Sequence, residues 1–192
     1  MKKILLGGIA GGFVLFIWSF LAWVVLPVHT PTMHSVQNED QLASMLKSSL
    51  PSKGVYLLHN APGMNSTKEA QDAYAAKVRM GPNAMIIYDP AGMEPLMTSQ
   101  FFVGILIDIL SALVVCWLLT RSTAYSTSYL SRVTFCGVFA IFATVFDYLT
   151  MWNWMGYPAD FTVGLIVDAL FAWILAGLVI SAIVKAPPAK AA

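Results

Sequence analysis

Positions 101–110 read FFVGILIDIL, and positions 161–170 read FTVGLIVDAL. Five of the ten positions are identical, and each copy sets an Asp four residues after a Gly: Gly104 and Asp108, then Gly164 and Asp168. Both copies open an apolar stretch long enough to cross a bilayer, which takes about 20 residues. An ionisable side chain inside such a stretch is costly to keep there, so Asp108 and Asp168 are candidate functional residues by default.

The composition agrees. Of 192 residues, 58% are hydrophobic and 11% charged, against about 25% charged in soluble domains. A formal net charge of +1 gives no footing for a nucleic-acid partner. Lipid is the expected surrounding.

Four segments meet the length requirement, at 4–26, 101–120, 133–154 and 161–184. The first follows Met-Lys-Lys but exceeds a signal-peptide core and lacks a small-x-small cleavage site, so it reads as an uncleaved helix. Lys2 and Lys3 precede it, Arg121 and Arg132 flank the second connection, and Lys185 and Lys190 follow the last span. The connection 153–160 has neither Lys nor Arg. The positive-inside rule then puts both termini in the cytoplasm and residues 27–98 outside, in the periplasm of a bacterium with two membranes. The expected organisation is 1–26 as tail and first span, 27–98 as the external region, 99–185 as three spans, and 186–192 as a cytoplasmic tail. The expected fold is a four-helix membrane bundle with a small α/β insertion between its first two helices.

Within that insertion, residues 38–50 are amphipathic and stop at Pro51. GVYLLHN at 54–60 and NAMIIYD at 83–89 are strand-length apolar runs. Between them Ser66 and Glu69 match a capping box, opening a helix that ends near Met80 before Gly81-Pro82. Strand, helix and strand joined by short connections predict a parallel βαβ unit.

Each span carries one small or polar face. Helix 1 has Gly8 and Gly12 in small-xxx-small spacing, beside Gly7 and Gly11, which lets helix backbones approach closely in lipid. Gly104 with Asp108 and Gly164 with Asp168 mark the corresponding faces of the second and fourth spans, and Ala140, Ala143, Thr144 and Asp147 that of the third. Asp108 and Asp168 lie ~10 Å in from their helix ends, and Asp147 ~8 Å below the aromatic belt of Trp152, Trp154 and Tyr157. Three carboxylates at one depth form a candidate proton or cation site. The alternative is structural: each accepts hydrogen bonds from Ser, Thr, Tyr or Trp and fixes helix register. The repeated motif also predicts a pseudo-twofold pair of hairpins, spans 1–2 and 3–4.

Weaker candidates lie outside the spans. His29, Met33, His34 and His59 are imidazole and thioether groups suited to copper. Seven of the ten methionines fall in the external region: Met33, Met45, Met64, Met80, Met85, Met93 and Met97. They lack repeated Met-x-Met spacing, and core filling explains them more simply. Cys116 and Cys136 fall within spans near one membrane face and read as small packing residues. No phosphate-binding loop, HExxH, GxSxG or c-type haem attachment sequence occurs, and no span contains a His to ligate haem. Neither enzyme activity nor a cofactor is expected.

The GVY strand start at Gly54, the GP…YDPAG stretch (Gly81, Pro82, Tyr88 to Gly92) and the WNWMGYPADF turn (Trp152 to Phe161) cover widely separated parts of the chain. In these the sequence resembles a group of uncharacterised bacterial inner-membrane proteins with four spans and a small periplasmic domain. The resemblance implies fold and location, and no activity. The expected role is therefore a non-enzymatic accessory or structural component that contacts lipid and other membrane proteins, or copies of itself. A cation- or proton-coupled transport protein is the alternative, and periplasmic copper handling a third.

Overall fold

The structure is a computed structural model, and it describes residues 1–94, 98–122 and 128–185. Four helices are long and apolar enough to cross a membrane: Lys2–Val25, Thr98–Arg121, Tyr129–Met155 and Ala159–Ile183. At 24, 24, 27 and 25 residues they measure ~36–40 Å, enough for a hydrocarbon core of about 30 Å with some tilt. The protein is thus membrane-embedded. Large apolar side chains such as Phe102, Leu110, Phe146 and Val163 stand exposed along these helices, as lipid-facing residues do. The tail 186–192 with Lys190, the segment 123–127, and Met97 fall outside the described residues.

Small residues decide which helices touch. The first span packs along both the second and the fourth, and the third packs along the fourth. A methyl group built on Gly12 would lie 2.5 Å from the Ile109 Cα and 2.6 Å from its N, so the first two spans meet backbone to backbone. One turn away Gly8 meets Leu113, chiefly its side chain. On the adjoining stripe, the same construction places Gly11 2.6 Å from Ile180 and Gly7 2.6 Å from Val184 of the chain's last described turn. Four glycines on one helix therefore serve two neighbours. Hydrocarbon gives no hydrophobic drive between helices, so this close approach supplies the packing energy.

Gly104 and Gly164, expected to pack in the same way, do not. A methyl at either meets only ordinary contacts, with Phe16 at 3.8 Å and His29 at 3.7 Å respectively. The close approach between third and fourth spans comes at Gly177, 2.9 Å from the Cys136 Cβ by the same construction. There Arg132 Nε donates to the Ser181 carbonyl (3.2 Å) and the Tyr129 hydroxyl to that of Leu178 (2.9 Å). Cys116 and Cys136 are free buried thiols in this core, beside Leu119, Ala176 and Ile180.

Two spans are not uniform. Leu21–Val25 ends the first as a π turn, and Thr144–Tyr148 interrupts the third with another. A π turn inserts one residue and rotates everything beyond it by about 100°. At the third span's end Gly156 adopts φ +72°, the left-handed conformation that closes a helix, and Pro158 precedes the first residue of the next.

The chain divides into two compact units, with Ser35–Pro95 as the second. The division falls after His34, so residues 27–34 belong with the spans rather than with the insertion. The second unit has helices Glu39–Ser49 and Lys68–Met80 and strands β1 (Gly54–Leu57) and β2 (Met85–Tyr88). The strands pair antiparallel, with Gly54 opposite Tyr88 and Leu57 opposite Met85, which corrects the parallel βαβ expectation. That expectation assumed short connections. The segment 58–67 is long enough, at ~33 Å fully extended, to run back beside the sheet before the helix returns the chain to the end where β1 stopped. The helix cap also moves by one residue. Thr67, not Ser66, is the N-cap, accepting from the Ala70 N–H at 3.3 Å. Among the described residues of this unit only Tyr88 is buried, with its ring edge-on to Tyr56.

Candidate functional site

Asp168 sits on the fourth span with its side chain 12% exposed, and both its oxygens are engaged. Trp18 Nε1 of the first span donates to Oδ1 at 2.6 Å, and His29 Nε2 lies 3.0 Å from Oδ2. His29 is only 2% exposed and stacks on Trp23, ring centroids 3.8 Å apart and planes 18° from parallel. The Trp18 ring stacks in turn on Phe171. First and fourth spans are tied together through one carboxylate.

His29 reaches this place because the chain folds back after the first span. Leu26 leaves the helix in an extended conformation, and Thr30–Thr32 forms a short 3-10 turn against the fourth span. Gly164 faces the ring, with Nδ1 3.7 Å from where its Cβ would stand, an ordinary contact. The first glycine-aspartate copy has no such visitor. The two copies of the repeat therefore share a sequence but not a setting.

Asp108 and Asp168 line the same cavity, of about 240 Å³, between the spans. Its walls include Ser19 and Trp23 of the first span, Ser111 of the second, Tyr148 of the third and Trp173 of the fourth. Such a volume holds a small cluster of waters. Asp108 also borders an apolar cleft formed by Phe16, Phe20, Phe101 and Gly104. One wall of this carboxylate is polar and the other lipid-like.

Asp147 does not join the other two. It is exposed, and its neighbour Tyr148 takes the cavity wall instead. The π turn is the cause: helical spacing from Ala140 and Thr144 placed Asp147 on the inner face, and the inserted residue rotates it away. Trp23 likewise lies in a π turn, so two of the cavity's aromatic walls owe their direction to this irregularity. Trp152 and Trp154 are exposed, and half-buried Tyr157 contacts Phe161.

The copper candidates are dispersed. His29 is committed to Asp168, Met33 and His34 are exposed, and His59 belongs to the second unit, in the left-handed region at φ +64°. Among the described residues no group of three or more His, Cys, Asp and Glu side chains is placed to hold a metal ion. Sequence reasoning missed His29, Trp18 and Tyr148 as members of the carboxylate site. The first carried one signal: a His three residues beyond the last apolar residue of a span, close enough to turn back into it.

No protein-family model matches this chain, and neither the curated proteins nor the solved structures contain a significant match to it.

Proposed function

We propose that this chain is a non-enzymatic, multi-pass inner-membrane protein that takes up a proton or small cation between its spans. Asp108 and Asp168 are the binding carboxylates. One observation carries the reading: two acids from different helices line one cavity between the spans, and an ionisable residue in a span is costly enough to mark a functional site by default. In this reading both termini are cytoplasmic, and the unit Ser35–Pro95 is the extracytoplasmic α/β domain. Asp147 stands outside the site. Ser19, Ser111 and Tyr148 supply neutral oxygens beside the carboxylates, a donor set that suits hard cations and water alike.

The accessory role has a separate observation in its favour. In the second unit Val55, Leu57 and Ile87 share one sheet face and are 65%, 53% and 79% exposed. A partner protein or a second copy covering that face would complete a thin core. The glycines of the first span argue less for such a partner, since all four are used inside the bundle.

Vesicles holding the full-length protein and a trapped pH dye separate the two. After a pH step or a sodium or potassium gradient, the wild type is expected to equilibrate at least tenfold faster than empty vesicles. The Asp108→Asn/Asp168→Asn variant should match the empty ones. Wild-type vesicles no faster than empty ones would leave the accessory role, to be pursued through proteins that co-purify.

A further inference from the structure

Asp168 has two direct partners, and they differ in what they can do. Trp18 offers an indole N–H, a donor that neither accepts nor releases a proton near neutrality. His29 is titratable, and its Nε2 lies within proton-transfer distance of Oδ2 at 3.0 Å. The other nitrogen, Nδ1, is buried and has no hydrogen-bond partner. A buried ring nitrogen left unpaired costs free energy and calls for an explanation. His29 is also absent from the cavity wall, whereas both groups it touches, Trp23 and Asp168, are on it. The imidazole, carried by the segment 27–34, thus touches the carboxylate without lining the cavity.

We infer that His29 is the group through which Asp168 gains its proton from the side of the 27–34 segment. The inference rests on the proton- or cation-binding reading of the cavity. The transfer starts from a neutral ring that donates through Nε2 to an ionised Asp168. An incoming proton forms an N–H bond at Nδ1. The Nε2–H bond breaks, and its proton forms the O–H bond of Asp168. The ring is left neutral with hydrogen on Nδ1, and the pair has gained one proton and one positive charge. The reverse sequence unloads it. Nδ1 is shielded by its surroundings, so uptake requires the segment that carries His29 to part briefly from Gly164.

Few charges compete for this role. The first span contributes Trp18 and Trp23, neither of which titrates. The second contributes Asp108 across the cavity, and the third Tyr148 on its wall with exposed Asp147 beside it. The fourth contributes Asp168 itself, and within the 27–34 segment His34 is exposed. Among these groups His29 is the one whose hydrogen bond to Asp168 permits a direct proton transfer.

The test is infrared spectroscopy of the full-length protein in lipid membranes after a caged-proton pH jump. The Asp168 carboxylic acid band is assigned by its absence in Asp168→Asn. In the wild type the band should rise quickly, and in His29→Gln at least tenfold more slowly. External imidazole should restore the fast rise in His29→Gly, a response that a purely structural histidine would not give. A band rising as fast in His29→Gln as in the wild type would overturn the inference, as would failure of imidazole to rescue a folded His29→Gly. No Asp168 band at any pH would overturn it too. Band kinetics as expected without ion flux in vesicles would sink the transport reading and leave the role of His29 standing.

Discussion

The two units of this chain are held together by opposite means. In the membrane unit the helix contacts are set by what is small. Gly8 and Gly12 admit the second span and Gly7 and Gly11 the fourth, while many large apolar residues face outward. In the Ser35–Pro95 unit the interior is made of what is large, and there is little of it: Tyr88 is the one buried residue among those described. Lipid rewards close contact and satisfied polar groups, whereas water rewards removal of apolar area. A small α/β region buries little by itself, and this one is no exception.

The difference can be attacked from each side. The largest effect is expected at Gly12. Leucine there must displace the Ile109 backbone, and overpacking of about 3 kcal/mol or more follows. Steric-trapping unfolding in bicelles would measure it, and Gly104→Ala in the same assay should change stability little, since its methyl meets only Phe16 at 3.8 Å. Equal losses at both positions would mean that the backbone contact at Gly12 is not what holds the spans together.

Tyr88→Ala comes next, at about 3 kcal/mol for a buried aromatic. It should open residues 35–95 to protease while the spans remain folded. Simultaneous loss of the spans would show that the units are not separately stable.

Trp18→Phe keeps the stacking on Phe171 and removes the donor to Asp168. A loss of about 1 kcal/mol is expected, in line with interhelical hydrogen bonds in membranes.

The smallest effect lies at the Lys53–Asp89 pair, 2.7 Å apart at the surface of the second unit. The Lys53 ammonium, followed by the Ala91 N–H, holds the Asp89 carboxyl below its ordinary value. A depressed acid stabilises the fold above the unfolded value of about 3.9 and loses that contribution as pH falls through the folded one. Carboxyl NMR should place Asp89 below the usual aspartate range in the wild type and move it part-way back in Lys53→Ala. An unchanged titration would mean that the pair does not persist in solution.

Much of the membrane unit was legible in the sequence, because its signals are long. Twenty apolar residues in a row announce a span, and glycines at every fourth position, such as Gly8 and Gly12, mark a face where helices can approach. The repeat at 101–110 and 161–170 led to the two carboxylates that share the cavity. Asp147 was misplaced because helical periodicity presumes an unbroken phase, and nothing in TVFDY signals a π turn. Gly104 and Gly164 were assigned to packing on spacing alone, although spacing does not tell which helix, if any, lies opposite. The pairing of His29 with Asp168 was not legible, because it depends on a chain reversal rather than on a period. In the second unit, the helix and strand positions were readable within a few residues. The strand direction was not, since it turned on how a ten-residue connection, 58–67, runs back past the sheet.

The measurement that bears most directly on the central claim is thermal stability of the full-length protein across pH and added sodium, potassium, lithium and calcium, beside Asp108→Asn/Asp168→Asn. A ligand that binds only the folded state at 100 times its dissociation constant raises stability by about 2.7 kcal/mol. The account predicts a wild-type response to pH or to one cation that disappears in the double variant. A response that is the same in both proteins, with the variant shifted only in baseline stability, would make the two carboxylates structural and contradict it.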